Sequence, residues 1–312
     1  MRPLWKDILA AAWLGILIPG IVLNAAVFFA RKTPPEAAPE TEPEPVKTVV
    51  LTLETGDITL SFEEYLTGVV LAEMPASFHP EALKAQTVAA GTYTRKAMDI
   101  GGKHTGSLCG NPGCCQAYIS PEDYLLQGGA EEDVEKVRQA VKAVWPYGIV
   151  YEDQLIEAVY FSCSGGQTEA AVAVWGADFP YLQSVESPGE EAARYHTDSV
   201  LIPQAEFKIL LSLPETEALT FGEPVFTEGG GVEKIEISGQ TFTGKELRSL
   251  LNLRSTAFTL EQSGDYIRIA TRGWGHRVGM SQYGANAMAH TGHTWQQILR
   301  HYYPGTTIAP MD

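Results

Sequence analysis

Residues Ile8 to Ala30 read ILAAAWLGILIPGIVLNAAVFFA, 23 positions with no charge and with Asn24 as the one strongly polar group. About 20 consecutive apolar residues cross a bilayer core as a helix. Pro19 and Gly20 break helices in water but are tolerated in lipid. The run therefore predicts an N-terminal transmembrane anchor over residues 1–32. Arg2 and Lys6 precede the run and Arg31 and Lys32 follow it, so flanking charge leaves the orientation open. A cleaved signal peptide is the alternative. The length of the run and the lack of a small-x-small cleavage site after it favour an uncleaved anchor.

Residues 33–48 are rich in Pro and Glu and carry nothing to bury, which reads as a stiff, extended tether. The anchor sums to +3 and the tether to −3, so the whole net charge of −16 falls on residues 49–312. An acidic body lacks the cations that phosphate backbones require, which excludes a nucleic-acid partner. Four cysteines in 312 residues are too few for a disulfide scaffold.

Strand-like runs cover Thr48–Ser61, Gly148–Phe161, Val232–Ile237 and Tyr266–Thr271. Helix-like runs cover Glu63–Ala72, Pro80–Met98, Glu131–Val144, Gly244–Asn252 and Thr294–Tyr302. The two kinds do not alternate regularly, so residues 49–312 are predicted to form a mixed α+β body rather than a doubly wound sheet.

Within LAEMPASFHPEALKAQTVAAGTYTRKA, Pro75 ends one helix and Pro80 opens the next, with Ser77 or His79 as its cap. Glu73 then lies where the chain must turn, beside Met74 and Phe78. Apolar surroundings raise a carboxyl pKa and suit it to general-acid work. The same spacing also fits a solvated charge at a helix end. On the following helix Ala82, Leu83, Ala90, Tyr93 and Ala97 share one face, with Gln86 in its middle. A polar group on a buried stripe needs partners, either within the protein or on a substrate.

Cys109, Cys114 and Cys115 lie within seven residues, with His104 just upstream. A disulfide from Cys109, a vicinal Cys114–Cys115 bridge, free thiols and a zinc site with His104 all fit this spacing. Further on, Ser164-Gly165-Gly166 and Gly273-Trp274-Gly275-His276 each follow a strand, and adjacent glycines there allow close backbone approach to a ligand. His276, Gln282 and Tyr283 supply hydrogen-bonding and stacking groups suited to sugars. Ser281 is placed to cap a helix over Gln282–Ala289, with Gly292 beyond its end.

Three stretches resemble the stage II sporulation protein D family, which shares its domain with the LytB-type amidase modifiers. They are YLTGVVLAEMPASFHPEALKAQTVAAGTYT, FSCSGGQTE and GWGHRVGMSQYGA, in the family's order from Tyr65 to Ala285. The resemblance implies a membrane-anchored lytic transglycosylase with its domain outside the cytoplasmic membrane. Its substrate would be peptidoglycan glycan, preferably stripped of stem peptides, cut at MurNAc–GlcNAc linkages to leave 1,6-anhydro-MurNAc ends during engulfment. Implied partners are an amidase of the stage II sporulation protein P type and a further membrane protein. The family's acid maps onto Glu73, and a central cleft would be lined by Gln86, Ser164, Gly165, Gly166, His276, Gln282 and Tyr283. The family's Cys-x5-Cys-Gln-x-Tyr pattern maps onto Cys109, Cys115, Gln116 and Tyr118 and implies a structural zinc there, with Cys114 and His104 as further candidate ligands.

Gly91, Cys163 and Arg277 depart from the family pattern, which usually has Arg, Ser or Thr, and Gly at these places. Glu81, Glu169 and Glu186 are candidate second carboxylates that no spacing singles out. A thiol hydrolase using Cys163 and His276 and a glycan-binding activator of an amidase are the competing functions.

Overall fold

The computed structural model describes residues 48–99, 104, 106–216 and 218–311. The predicted anchor and nearly all of the tether lie outside them. Among the described residues no helix is long and apolar enough to cross a membrane. The described body is a mixed α+β fold, as its irregular succession of elements predicted.

The chain enters as a hairpin of β1 (Thr48–Leu53) and β2 (Gly56–Ser61). The predicted run Thr48–Ser61 breaks there because Gly56, at φ 117°, turns the chain. Ser61 then caps α1 (Phe62–Glu73) in a reciprocal box with Glu64. The helix stops at Met74, whose extended backbone is the conformation preferred before Pro75. After a short turn, α2 (Pro80–Asp99) starts on a cap from His79, whose Nδ1 accepts from the Glu81 N–H at 3.2 Å.

Helix α2 is not the one-faced helix its sequence suggests. Every residue from Ala85 through Thr92 is buried. Small Ala, Thr and Gly side chains let neighbours approach from all sides. β3 (Leu108–Cys109) pairs parallel with β1. Two helices follow, α3 (Pro121–Leu126) and α4 (Glu131–Val144). Helix α4 turns Val134, Val137, Val141 and Val144 inward at the 3–4-residue spacing of an apolar stripe. The predicted strand Gly148–Phe161 resolves into β4 (Tyr147–Tyr151), β5 (Gln154–Leu155) and β6 (Tyr160–Phe161). The β4–β5 turn puts Glu152 and Asp153 both at positive φ, the geometry of a tight hairpin. The short α5 (Ala171–Trp175) follows.

Residues 197–272 form a lobe with its own core. It contains β7 (Thr197–Pro203), α6 (Gln204–Leu210), β8 (Val225–Phe226), β9 (Val232–Ile237), β10 (Gln240–Thr243), α7 (Gly244–Leu250), β11 (Phe258–Ser263) and β12 (Tyr266–Arg272). Its sheets run β11-β12-β7 and β10-β9-β8 over Phe207, Ile237, Leu247 and Ile267. Arg272 pairs with Thr197, so the lobe leaves and rejoins the helical body at one point. The chain then completes the body with β13 (Met280–Ser281), α8 (Gln282–His290), α9 (Trp295–Tyr302) and β14 (Thr307–Pro310). β13 pairs parallel with β6, and β14 antiparallel with β4. Val69, Leu83, Val88, Val137, Ile149 and Tyr302 belong to the core of this body.

Candidate functional site

The C-terminal end of α1, the loop after β3, the end of β6, α5, the turn after β12 and the start of α8 converge on a cleft of about 880 Å³. Glu73 is the carboxyl group among the side chains lining it. Burial raises its pKa above the usual carboxylate value, partly opposed by hydrogen bonds from the Ala117 N–H and the Gln282 side chain. The Ala117 nitrogen lies 2.8 Å from Glu73 Oε1. A carboxyl group so placed holds its proton at higher pH than a solvated one, which is what a general acid requires.

Much of the remaining lining is aromatic. Trp175, 43% exposed, and Trp274, 39% exposed, both line the cleft and leave indole surface free for a flat apolar ring face. Tyr195 meets Trp274 edge-on at 4.4 Å, and the Arg254 guanidinium stands 4.4 Å over the Tyr195 ring. Tyr160, also on the wall, donates from its hydroxyl to Gln116 Oε1 at 2.7 Å. Gln116 in turn donates to Thr94 Oγ1 at 2.7 Å. Trp274 belongs to the glycine-rich run already marked in the sequence, whereas Trp175 and Tyr160 do not stand out there, because only packing brings them to it.

His276 lines the cleft beside Trp175 and Phe161. Its Nδ1 accepts from the Val278 N–H at 3.1 Å, and it makes a further hydrogen bond to the Tyr160 backbone. Burial, then the nearby Arg248 charge, lowers its pKa to about 4. His276 is therefore a neutral clasp between two chain segments.

Gln282 lies in the cleft against Glu73, whereas its neighbour Tyr283 lies in a separate groove, edge-on to Phe78 at 4.9 Å. Gln86 is fully buried in α2, outside the cleft lining, and neither of its amide atoms finds a partner among the described residues. The Ser164–Gly166 turn also lies outside the lining. The Ser164 N–H, the Ser164 hydroxyl and the Gly165 N–H all donate to Glu190 Oε2 at 2.8 Å. The turn therefore cradles an internal carboxylate, a partner no local pattern announced. Its glycines are needed for chain packing: a Cβ on Gly165 would stand 2.8 Å from the Gly273 nitrogen. The thiol of Cys163 joins the same cradle, donating to Glu190 Oε2 at 3.2 Å. Burial and the Glu190 charge push its pKa up to about 12, which leaves no thiolate to attack a substrate.

Arg277 does not edge the cleft. It is 1% exposed, at φ 65°, and its guanidinium reaches the carbonyls of Ser164, Gln167 and Gly229 at 2.7–2.8 Å and Glu169 at 3.3 Å. The left-handed backbone suits the glycine expected there, and Arg uses it to fill a polar interior. Of the other candidate carboxylates, Glu169 is thus tied to Arg277, and Glu81 binds Lys84 at 2.6 Å and the Trp295 N–H at 2.8 Å. Glu186 contributes its backbone carbonyl to His301 at 2.7 Å. None of the three lines the cleft.

The loop after β3 brings His104, Cys109, Cys114 and Cys115 together, with one ligand atom from each inside a mutual span of 4.8 Å. None of these cysteines is in a disulfide. Cys114 Sγ lies 3.3 Å from His104 Nε2 and 4.0 Å from Cys115 Sγ. Tetrahedral zinc, with bonds of about 2.0–2.3 Å, sets its ligands roughly 3.3–3.8 Å apart, so two thiolates and an imidazole this close fit such an ion once the wider pairs draw in by less than about 1 Å. Burial opposes a thiolate at Cys109, but hydrogen bonds from the Asn111 backbone, His104 and the two other thiols outweigh it and lower its pKa to about 7. The loop is wound on Asn111, whose carbonyl accepts from the N–H groups of Cys114 and Cys115. Cys114 and Cys115 line the cleft, and Ala117, which holds Glu73, follows two residues on. Tyr118 then stacks on Tyr65 and covers Gly68, where a Cβ would lie 2.3 Å from its ring.

A helical body that carries one acid into a cleft beside a Cys/His loop marks the class, and the family model described as Stage II sporulation protein matches residues 57–151. Over 259 residues the chain is 39% identical to Stage II sporulation protein D of Bacillus subtilis (strain 168), covering 81% of this chain and 76% of that protein. The protein of the same name from Bacillus amyloliquefaciens is 37% identical, with 81% and 75% covered. An Amidase enhancer of Bacillus subtilis (strain 168) is 28% identical, spanning 78% of this chain and 40% of that protein. The chain belongs to the stage II sporulation protein D family.

Proposed function

We propose that this protein is a lytic transglycosylase that cuts MurNAc–GlcNAc linkages of peptidoglycan glycan strands, with Glu73 as its acid and base. The observation that carries the reading is a cleft whose lining holds one carboxyl group, its pKa raised by burial, together with two exposed indoles. Most glycosidases pair two carboxylates, one to protonate the leaving oxygen and one to serve water or bond the sugar. A lytic enzyme needs one. Protonated Glu73 gives its proton to the glycosidic oxygen as the C1–O bond breaks. The resulting carboxylate then takes the proton of the same sugar's C6 hydroxyl as O6 bonds to C1. The product is a 1,6-anhydro ring, no water is consumed, and Glu73 ends protonated. The Gln282 and Ala117 donors steady the carboxylate between the two steps, and Trp175 and Trp274 stack on sugar faces.

In this reading the substrate is glycan stripped of its stem peptides, because an acidic body grips an almost uncharged strand by stacking and hydrogen bonds rather than by cations. Relatives named for stage II sporulation support a role in sporulation; within that reading the protein acts in engulfment, beside a partner amidase and a further membrane protein. The apolar N-terminal run supports a single-pass anchor, and a peptidoglycan substrate requires the catalytic domain to lie outside the cytoplasmic membrane. His104, Cys109, Cys114 and Cys115 would hold a structural zinc. Bound there, zinc supplies folding energy to the loop rather than acting on the sugar.

The relative named Amidase enhancer favours a second reading, in which the domain binds glycan and stimulates an amidase without cutting. Mass spectrometry of peptide-stripped glycan incubated with the protein separates the two. Anhydro-ended fragments that vanish with Glu73→Gln support cleavage. Fragments released at the wild-type rate by Glu73→Gln remove Glu73 from the reaction, and no fragments without added amidase favour the activator.

A further inference from the structure

A second group of metal-ligating side chains lies behind the Trp274 wall. Cys163, Glu190 and His196 each place a ligand atom within 4.8 Å of the other two. Cys163 and Glu190 are each 1% exposed. The Nδ1 atom of His196 is buried and has no hydrogen-bond partner among the described residues. A buried ring nitrogen without a partner is costly, and a metal ion is one such partner.

The surroundings resemble the outer shell of a metal carboxylate. Glu190 is held by three donors from Ser164 and Gly165 on Oε2 and by the Ser187 hydroxyl on Oε1 at 2.6 Å. Ser187 Oγ in turn lies 2.6 Å from the Tyr302 hydroxyl. Such outer hydrogen bonds orient a ligating carboxylate and tune its metal. The 3.2 Å gap from Cys163 Sγ to Glu190 Oε2 is one that a zinc ion bonded to both atoms at about 2.0–2.3 Å can bridge.

We propose that Cys163, Glu190 and His196 form a second divalent-cation site, selective for zinc and its soft neighbours, separate from the cysteine loop. Thiolate, imidazole and carboxylate together suit zinc better than magnesium or calcium, which take all-oxygen sets. On binding, the Cys163 S–H bond breaks, its proton passes to solvent, and a sulfur–metal bond forms. Three protein ligands leave a fourth position for water. The site ties the end of β6 to the 187–196 loop. Cys163 exchanges backbone hydrogen bonds with Trp274, and the His196 carbonyl accepts from the Gly273 N–H at 3.0 Å. The ion would therefore brace the turn that carries Trp274 into the cleft, whatever reaction Glu73 performs.

The test uses the full chain. In a variant with Cys109, Cys114 and Cys115 all changed to Ser, cobalt(II) should still give a thiolate-to-cobalt charge-transfer band. That band should disappear on adding Cys163→Ser or His196→Gln. No band from a variant that circular dichroism shows to be folded overturns the proposal. If the triple variant does not fold, zinc content decides on the intact cysteine loop. His196→Gln and Cys163→Ser should each lose one equivalent relative to the wild type, and unchanged zinc content in both overturns the site.

Discussion

The backbone N–H of Ala117 donates to Glu73 Oε1 at 2.8 Å and so joins two segments 44 residues apart. Ala117 follows the last cysteine of the loop by two residues, so the loop that gathers four metal-ligating side chains also sets the position of the cleft acid. Outer-shell partners of a reactive group commonly govern its rate through geometry alone.

Cys115→Ser should therefore lose one metal equivalent and also slow glycan cleavage. Loss of an orienting contact of this kind costs about 10–100-fold. Metal analysis and turnover on the same preparation check it. A variant that loses metal but cleaves at the wild-type rate would uncouple the loop from Glu73.

Glu73→Gln should lower cleavage by about 100-fold or more, the usual contribution of a general acid. It should not lower stability at neutral pH. The folded pKa of Glu73 lies above its ordinary value because burial disfavours the charged form. Its favourable contribution is then complete below the unfolded pKa and is lost as pH rises through the folded pKa. Glutamine carries no charge to bury, so thermal melting at pH 7 should show a midpoint equal to or above that of wild type.

Gln282→Leu should move the falling limb of the pH–rate profile to higher pH. Gln282 donates to the Glu73 carboxylate and lowers its pKa. Removing the donor raises that pKa further and preserves the protonated acid over a wider range, while the ionised intermediate loses a partner and kcat falls. A profile that shifts to lower pH, or does not move, would contradict this role.

Arg277→Gly should destabilise the fold by about 3–5 kcal/mol, because it leaves the Glu169 charge buried without its partner. Relief of the left-handed backbone at φ 65° offsets about 1 kcal/mol of this. Urea unfolding of Arg277→Gly and of the Arg277→Gly, Glu169→Gln pair measures the difference. The second change should recover part of the loss.

Local signals were legible where the interactions that set them are local. Pro75 and Pro80 marked the break that presents Glu73, and Ser281 caps α8 where the sequence placed it. Helix α4 shows the apolar stripe its spacing predicted. Helix α2 does not, since neighbours cover it on all sides and its small residues carry no directional pattern. The hairpins within Thr48–Ser61 and Gly148–Phe161 were hidden because their turns use Glu and Asp at positive φ or a single glycine inside otherwise strand-like runs.

By itself the sequence determined the acid at the end of a helix, the cluster of loop cysteines and the family pattern that orders three motifs, because each is set within a few residues of chain. Only the tertiary structure decided which polar groups face the cleft. It turned the Ser164 and Gly165 amides onto Glu190, committed the His276 ring to backbone, buried Arg277 against Glu169 and brought Trp175 and Trp274 into one cleft with Glu73. Arg277 and Glu169, for one, lie 108 residues apart in the chain. A buried polar group must find its partner wherever packing brings one, and periodicity along the chain carries no record of that choice.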